Sequence, residues 1–402
     1  MSDNHIKINV QSEINILQII TLFSIGGATE TVVSMAEGLK KAKMTVHIAT
    51  GPHIISEGSM YESAEKLGIP VFTFKNLKRE INILRDILII FQLFMFIRKG
   101  KYQIVHTHSS KAGVVGRIAA WLARTPVILH TVHGLPFHRY QPNLKKKAFI
   151  WIEKFSSLFC HKIVAVTDTI VQTMAVYNIG TKDKYTMIRS SFDIESYKTN
   201  GEIEKNKTRH RFGIEKADII IGKLARLSEL KGHKYLLEAF RNISPQIPKA
   251  KLLIVGNGEL EYNLKRFVDE NQLKDKVIFA GLITPEVIPS IIAIMDIVVH
   301  TSLLEGLARV LPQSLMMEKP VISFDLDGAH EIIKDGVNGF LIKPLDTEQL
   351  GERIVYLCKN TELIKEFGKK GKELLGDQFS SKKMVTDIFN LYQTLLESKI
   401  KK

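Results

Sequence analysis

"IIIGKLARLSELKGHKYLLEAFRNISPQIPKAKLLIVGNG", residues 219–258, decides the fold. It holds a β-branched apolar run, a short polar loop, a helical pattern, and a second apolar run ending in a glycine turn. Runs so uniformly apolar are buried on both faces, as strands are in parallel sheets covered by helices. Working outward, the alternation continues through KVIFAG (276–281), IVVHTS (297–302), PVISF (320–324) and GFLIKP (339–344). An earlier series comprises INILQIIT (14–21), MTVHIAT (44–50), VFTF (71–74), QIVHTH (103–108), VILHTVHG (127–134) and KIVAVT (162–167). Two α/β, doubly wound, Rossmann-like domains are therefore expected, at 1–195 and 219–378. A polar linker, 196–218, joins them, and a helix at 379–402 packs back on the first. A length of 402 residues suits two cores rather than one. Such pairs bind ligands in the cleft between them, at the carboxyl ends of the strands.

Composition narrows the function. Only two cysteines occur, Cys160 and Cys358, so no disulfide framework is expected and a reducing cytoplasm is the expected home. The opening residues lack a basic run followed by an apolar core, so no signal peptide is expected. The run ILIIFQLFMFI (87–97) is apolar but too short for a span of about 20 residues. Net charge is +14, and it is unevenly spread: residues 1–200 hold 25 basic and 14 acidic side chains, the remainder 31 and 28. Between Asp86 and Glu153 no acid occurs, while ten basic residues do, from Arg98 to Lys147. The first half reads as a cation that faces something anionic, or at least tolerates it. Few aromatics interleave with those charges and no nucleic-acid module is present, so nucleic acid is not the expected partner.

The unusual polar residues gather at strand ends. Gly26 and Gly27 follow the first strand and precede a helix, where the backbone can approach an anion; a plain tight turn reads equally well. Arg226 closes a strand and Lys231 precedes the next helix, a spacing that can clamp a diphosphate or leave two solvated charges. Lys223 reads as a strand-edge charge. Gly256, in VGNGEL (255–260), fits turn chemistry better than a dinucleotide fingerprint. Glu305 lies in a loop after an apolar strand, and Gln313 stands just past Pro312 at a helix start. An acid and an amide there suit sugar and ribose hydroxyls. His106, His108, His130, His133 and His138 cluster near two strand ends, but their spacing is poor for zinc, and no metal is expected. His106 and His130 read as satisfied core residues, His133 as a group pointing into the cleft.

Six motifs in order, SIGGATE, VHTHSSKAG, HTVHG, GKLARLSELKG, VGNGEL and SLLEGLARVLPQSL, resemble those of the group 1 glycosyltransferases (glycosyltransferase family 4, GT-B fold) along nearly the whole chain. The resemblance implies two facing domains, a nucleoside-diphosphate sugar donor held mainly by the second, and an acceptor held mainly by the first. It implies retention of anomeric configuration, no cofactor, and no metal at the reaction centre. Arg226 and Lys231 would hold the diphosphate and, with His133 and Glu305, carry the catalytic role. Gly26, Gly27, Gly256, Gly306, Leu307 and Gln313 would complete the donor site. Lys111, His108 and His138 are the acceptor-side candidates. The family pattern has a second Glu where this chain has Gln313, and a Gly where it has Ser191.

A glycan or lipid-linked acceptor gives the basic first half a purpose. Helix 81–97 and LKKKAFIWIEKF (144–155) would then lie on the anionic inner face of the plasma membrane, where a cell-surface polysaccharide, lipopolysaccharide or glycolipid precursor is extended. The competing reading packs 81–97 as an ordinary core helix. A nucleotide-sugar epimerase of similar shape is the alternative function, and it would need an acid–base pair in the cleft. A dehydrogenase lacks its GxGxxG.

Overall fold

The computed structural model describes residues 14–53, 58–197 and 201–400. The leader-free reading of residues 1–13 and the linker's residues 198–200 lie outside them.

Two all-parallel sheets form. The first has seven strands: β1 (Asn15–Ile20), β2 (Thr45–Thr50), β3 (Val71–Thr73), β4 (Ile104–His108), β5 (Val127–Val132), β6 (Lys162–Ala165) and β7 (Tyr185–Met187), in the order β3-β2-β1-β4-β5-β6-β7. The second has six: β8 (Ile219–Leu224), β9 (Ala250–Val255), β10 (Val277–Gly281), β11 (Ile297–His300), β12 (Val321–Phe324) and β13 (Gly339–Ile342), in the order β10-β9-β8-β11-β12-β13. In each, the chain reverses its winding next to the first-formed strand, so β1 and β4, like β8 and β11, part their loops to make a crevice. Central strands are apolar because helices cover both faces; β4, β5 and β11 are buried at every position.

The expected linker, 196–218, is partly helical. Residues Glu202–Arg211 form a helix that packs on the Ile288–Ala293 helix. Arg209 ties it to the second domain by donating to the carbonyls of Ile294, Glu215 and Asp218. Its sequence is almost wholly polar, so no apolar period announced it; the arginine's hydrogen bonds to Ile294 of the second domain and to Glu215 and Asp218 just before it anchor it.

The Ser381–Ile400 helix crosses back to the first domain and packs on the Gly27–Lys41 helix. Met384, Ile388, Phe389 and Tyr392 join the core over that face of the first sheet. Ser191 is buried there, its hydroxyl against Ser381 and the Met384 sulfur. Elsewhere the domains meet through Glu331 of the second, whose carboxylate accepts from the backbone N–H of Asp168 and Thr169 at the start of the Asp168–Val176 helix and from Arg189. A carboxylate at a helix N-terminus is favourable, and here it comes from the opposite domain.

Candidate active site at the join of the two domains

β8 and β11 end side by side and carry the charged pair. After β8 the chain forms a single 3₁₀ turn, Glu229–Lys231, closed by Gly232 in the left-handed region (φ 63°). A Cβ on Gly232 would lie 2.0 Å from the Thr301 carbonyl oxygen, so no other residue fits. That turn aims Lys231 across at the loop after β11, where its Nζ lies 2.6 Å from Glu305 Oε1. The Glu305 backbone N–H donates to Asp327 Oδ2 at 2.6 Å. Burial pushes the Glu305 carboxyl up, but Lys231 and its hydrogen bonds outweigh this and hold it below the usual range. At Asp327 burial, helped by the like charge of Glu305, outweighs the Glu305 N–H and the charges of Arg139 and Lys231 and pushes the carboxyl up to about 6.

Lys223 is not an edge charge. β8 lies inside the sheet, and the Lys223 side chain is wholly buried, with Nζ donating to Thr301 Oγ1 at 2.8 Å. Thr301 Oγ1 in turn donates to the Gly232 carbonyl at 2.8 Å, so the chain Lys223–Thr301–Gly232 holds the Lys231 turn against β11. Burial, helped by the like charge of Lys231, lowers Lys223 to about 7. His300 Nε2 is 3.5 Å from Glu305 Oε1, yet burial lowers its pKa to about 3, so it is neutral and forms no ion pair.

From the first domain, β5 delivers His133 to the same place. Gly306 packs so closely on the His133 carbonyl that a Cβ there would lie 1.7 Å from the oxygen. His133 Nε2 meets His108 Nδ1 at 3.0 Å, and His108 Nε2 meets Gln18 Oε1 at 2.6 Å. Burial, then the charge of Arg309, lowers His133 to about 4, so it is a neutral hydrogen-bonding group. His108 is therefore no acceptor contact: fully buried, it orients His133. His106 and His130 are core residues, bonded to Tyr392, Thr131 and Thr107.

Two pockets share the 305–313 stretch as a wall. One, of about 300 Å³, is lined by His133, Gly134, Glu305, Gly306, Ser109 and Ser110, with the buried Arg117–Glu153 ion pair (2.9 Å) among its deeper residues. The other, of about 240 Å³, gathers Gly26, Gly27, Arg226, Gly256 and Gln313 from both domains, together with Glu30, Tyr197, Asn257 and Arg309. Leu307 is buried beside them. Two acceptor candidates stand apart. Lys111 forms an ion pair with Asp86 on the Ile83–Gly100 helix, and His138 Nδ1 accepts the Tyr140 N–H within its own loop. Sequence reasoning missed Arg309, Asp327, Glu30 and the Thr301 relay. A basic residue four positions past Glu305 was visible, but its reach to the other domain was not.

The arrangement places cations, a carboxylate and hydroxyl-binding groups around one cleft, with two lobes supplying opposite walls. Among the described residues no cluster of three His, Cys, Asp or Glu side chains could hold a metal. Residues 25–196 match the family model described as Glycosyltransferase Family 4, and residues 204–374 the one described as Glycosyl transferases group 1. The UDP-Gal:alpha-D-GlcNAc-diphosphoundecaprenol alpha-1,3-galactosyltransferase of Escherichia coli is 27% identical over 335 residues, covering 82% of this chain and 85% of that protein. The capsular polysaccharide biosynthesis glycosyltransferase CapM of Staphylococcus aureus is 24% identical over 368 residues, 90% and 93% of the two chains. Anabaena HepE, solved in complex with UDP-glucose, shares the fold with a TM-score of 0.80 at 23% identity, covering 95% of this chain and all of that one.

Proposed function

The chain belongs to the group 1 glycosyltransferases, with a family 4 first domain and the GT-B fold, and from that premise we propose that it transfers a hexosyl unit from a nucleoside-diphosphate sugar to a hydroxyl of a glycan or lipid-linked acceptor. The reaction is retaining and metal-independent, and serves polysaccharide or glycolipid synthesis at the cytoplasmic face of an anionic membrane.

One observation carries this reading: the Lys231–Glu305 pair of the second domain meets His133 of the first across the contact between Gly306 and the His133 carbonyl. In transfer, the bond from the anomeric carbon to the diphosphate oxygen breaks, the acceptor oxygen takes its place, and the acceptor hydroxyl's proton passes to the departing diphosphate. Negative charge grows on the departing diphosphate. Lys231 and Arg226 stabilise it in this reading, and these cations supply the charge without requiring a metal. Glu305 and neutral His133 bind sugar hydroxyls beside the breaking bond. Gln313, only 8% exposed in the Arg226 pocket, offers the ribose both a donor and an acceptor. The epimerase alternative is not favoured: Glu305 is held ionised by Lys231 and His133 is held neutral by burial, so neither is poised to exchange a proton near pH 7.

The acceptor side rests on other features. No described helix is long and apolar enough to cross a membrane, but the Ile83–Gly100 helix turns Ile83, Leu84, Ile87, Leu88, Phe91 and Met95 to solvent. The similar E. coli enzyme is named for a diphosphoundecaprenol acceptor, which supports a lipid-linked substrate here.

The test is incubation with UDP-, GDP- and ADP-sugars and a polyprenyl-diphosphate-linked sugar, with and without EDTA. Release of nucleoside diphosphate, an unaltered anomeric configuration in the product and indifference to EDTA are expected. Epimer formation without nucleoside diphosphate would overturn the reading.

A further inference from the structure

Arg309 has no task in the donor reading, and its geometry demands one. It belongs to the second domain, directly before the Val310–Met316 helix, yet its guanidinium crosses the join. Nη2 lies 2.9 Å from Glu30 Oε2, and Nη1 donates to the Gly27 carbonyl at 3.2 Å. Both side chains are largely buried, 11% and 23% exposed, so solvent screens the pair weakly. The buried Nε has no hydrogen-bond partner among the described residues. The same side chain lines the pocket shared by Arg226, Gly256 and Gln313, and its field reaches His133.

Glu30 is equally placed. It sits in the first turn of the Gly27–Lys41 helix, where the free N–H groups and the helix dipole favour a negative charge. An anion is thus already built into the protein at the Gly26–Gly27 turn, held by a planar fork that suits a phosphate as well as a carboxylate.

We propose that Glu30 is a resident stand-in for the donor's diphosphate, and that Arg309 is a latch which exchanges Glu30 for that diphosphate when the donor enters. The inference rests on the nucleoside-diphosphate reading and adds to it a third phosphate-binding cation and an internal competitor. Donor entry trades a bond between the lobes for a bond to substrate, and departure of the nucleoside diphosphate restores the lobe-to-lobe bond. Product release and re-engagement of the lobes are then one event.

The proposal makes the two partners act with opposite sign. UDP, GDP and ADP are titrated in turn into the parent by calorimetry, and the tightest is carried to Arg309→Gln and Glu30→Gln, each checked for fold by thermal unfolding. Arg309→Gln weakens binding about tenfold, and more for the diphosphate than for the matching monophosphate. Glu30→Gln tightens diphosphate binding several-fold, because the competitor is gone. If Arg309 merely ties the lobes together, both variants weaken binding, or neither changes it, and mono- and diphosphate lose equally; any of these results overturns the latch. Failure of the parent to bind any of the three diphosphates overturns the donor reading itself, and the latch with it.

Discussion

Lys231 and Glu305 hold each other in place, and in the proposed reaction they are the pair on which the chemistry turns. Removing the lysine leaves a carboxylate beside the diphosphate and takes away the charge that would stabilise it. Lys231→Ala is expected to lower kcat/KM by about 10² to 10³ while the unfolding temperature stays close to the parent's; unchanged turnover would remove Lys231 from the reaction. Asp327 sets a pH limit on the same site. It accepts the Glu305 N–H and is pushed up to about 6 by burial, so at pH 7 it is ionised and the bond is charge-assisted. As pH falls through about 6 it takes up a proton, and kcat/KM for the donor should fall with it. The unfolded chain keeps this carboxylate ionised until about pH 4, so between pH 7 and 4 the folded state binds the extra proton. This group's contribution to stability therefore rises on acidification even as activity drops. Asp327→Asn should erase the acid limb; a limb that survives in that variant places its origin elsewhere.

Among elements, the Ile83–Gly100 helix carries one buried and one exposed apolar face. Ile89, Leu93 and Ile97, four residues apart, are buried on the first domain, while the opposite face is apolar and exposed, Leu84 at 81%. Its acid, Asp86, is paired with Lys111, which leaves Arg98 and Lys99 as exposed charges at its C-terminal end. In the Asn143–Ser157 helix, Leu144, Trp151 and Phe155 are exposed beside Lys145 and Lys147, and Trp151 stacks on Phe155 at 5.6 Å. A wet surface of this kind pairs apolar insertion with basic attraction, each Lys contributing about 1 kcal/mol near an anionic leaflet. Replacing Lys145, Lys146 and Lys147 by Glu should abolish co-sedimentation with anionic liposomes and leave donor hydrolysis intact. Binding as strong as the parent's would refute the membrane face. The elements hardest to foresee were β7 and the Glu202–Arg211 helix. The three residues of β7, Tyr185–Met187, show no apolar run of the kind that marked β3, and a polar helix shows no period either.

At the scale of the molecule, the Ser381–Ile400 helix makes the first domain depend on the end of the chain. Tyr392 is wholly buried, its hydroxyl 2.6 Å from His106 Nδ1 and 3.2 Å from Gln18 Nε2. Gln18 in turn holds His108, which holds His133, so a tether 374 residues away in sequence supports the cleft. Tyr392→Phe leaves a buried imidazole nitrogen without its partner and should cost about 1–3 kcal/mol in denaturant unfolding; no change would mean the hydroxyl carries nothing. The sequence by itself determined the two parallel sheets, because strands buried on both faces must be mostly apolar. It also determined the pairing of glycines with charged residues at strand ends, since local backbone geometry demands it. Only the tertiary structure decided which charges meet. Lys223 became a buried relay, His108 a support, and Arg309 a bridge to Glu30, because hydrogen bonds and ion pairs act over about 3 Å between residues that the chain separates by tens to hundreds of positions.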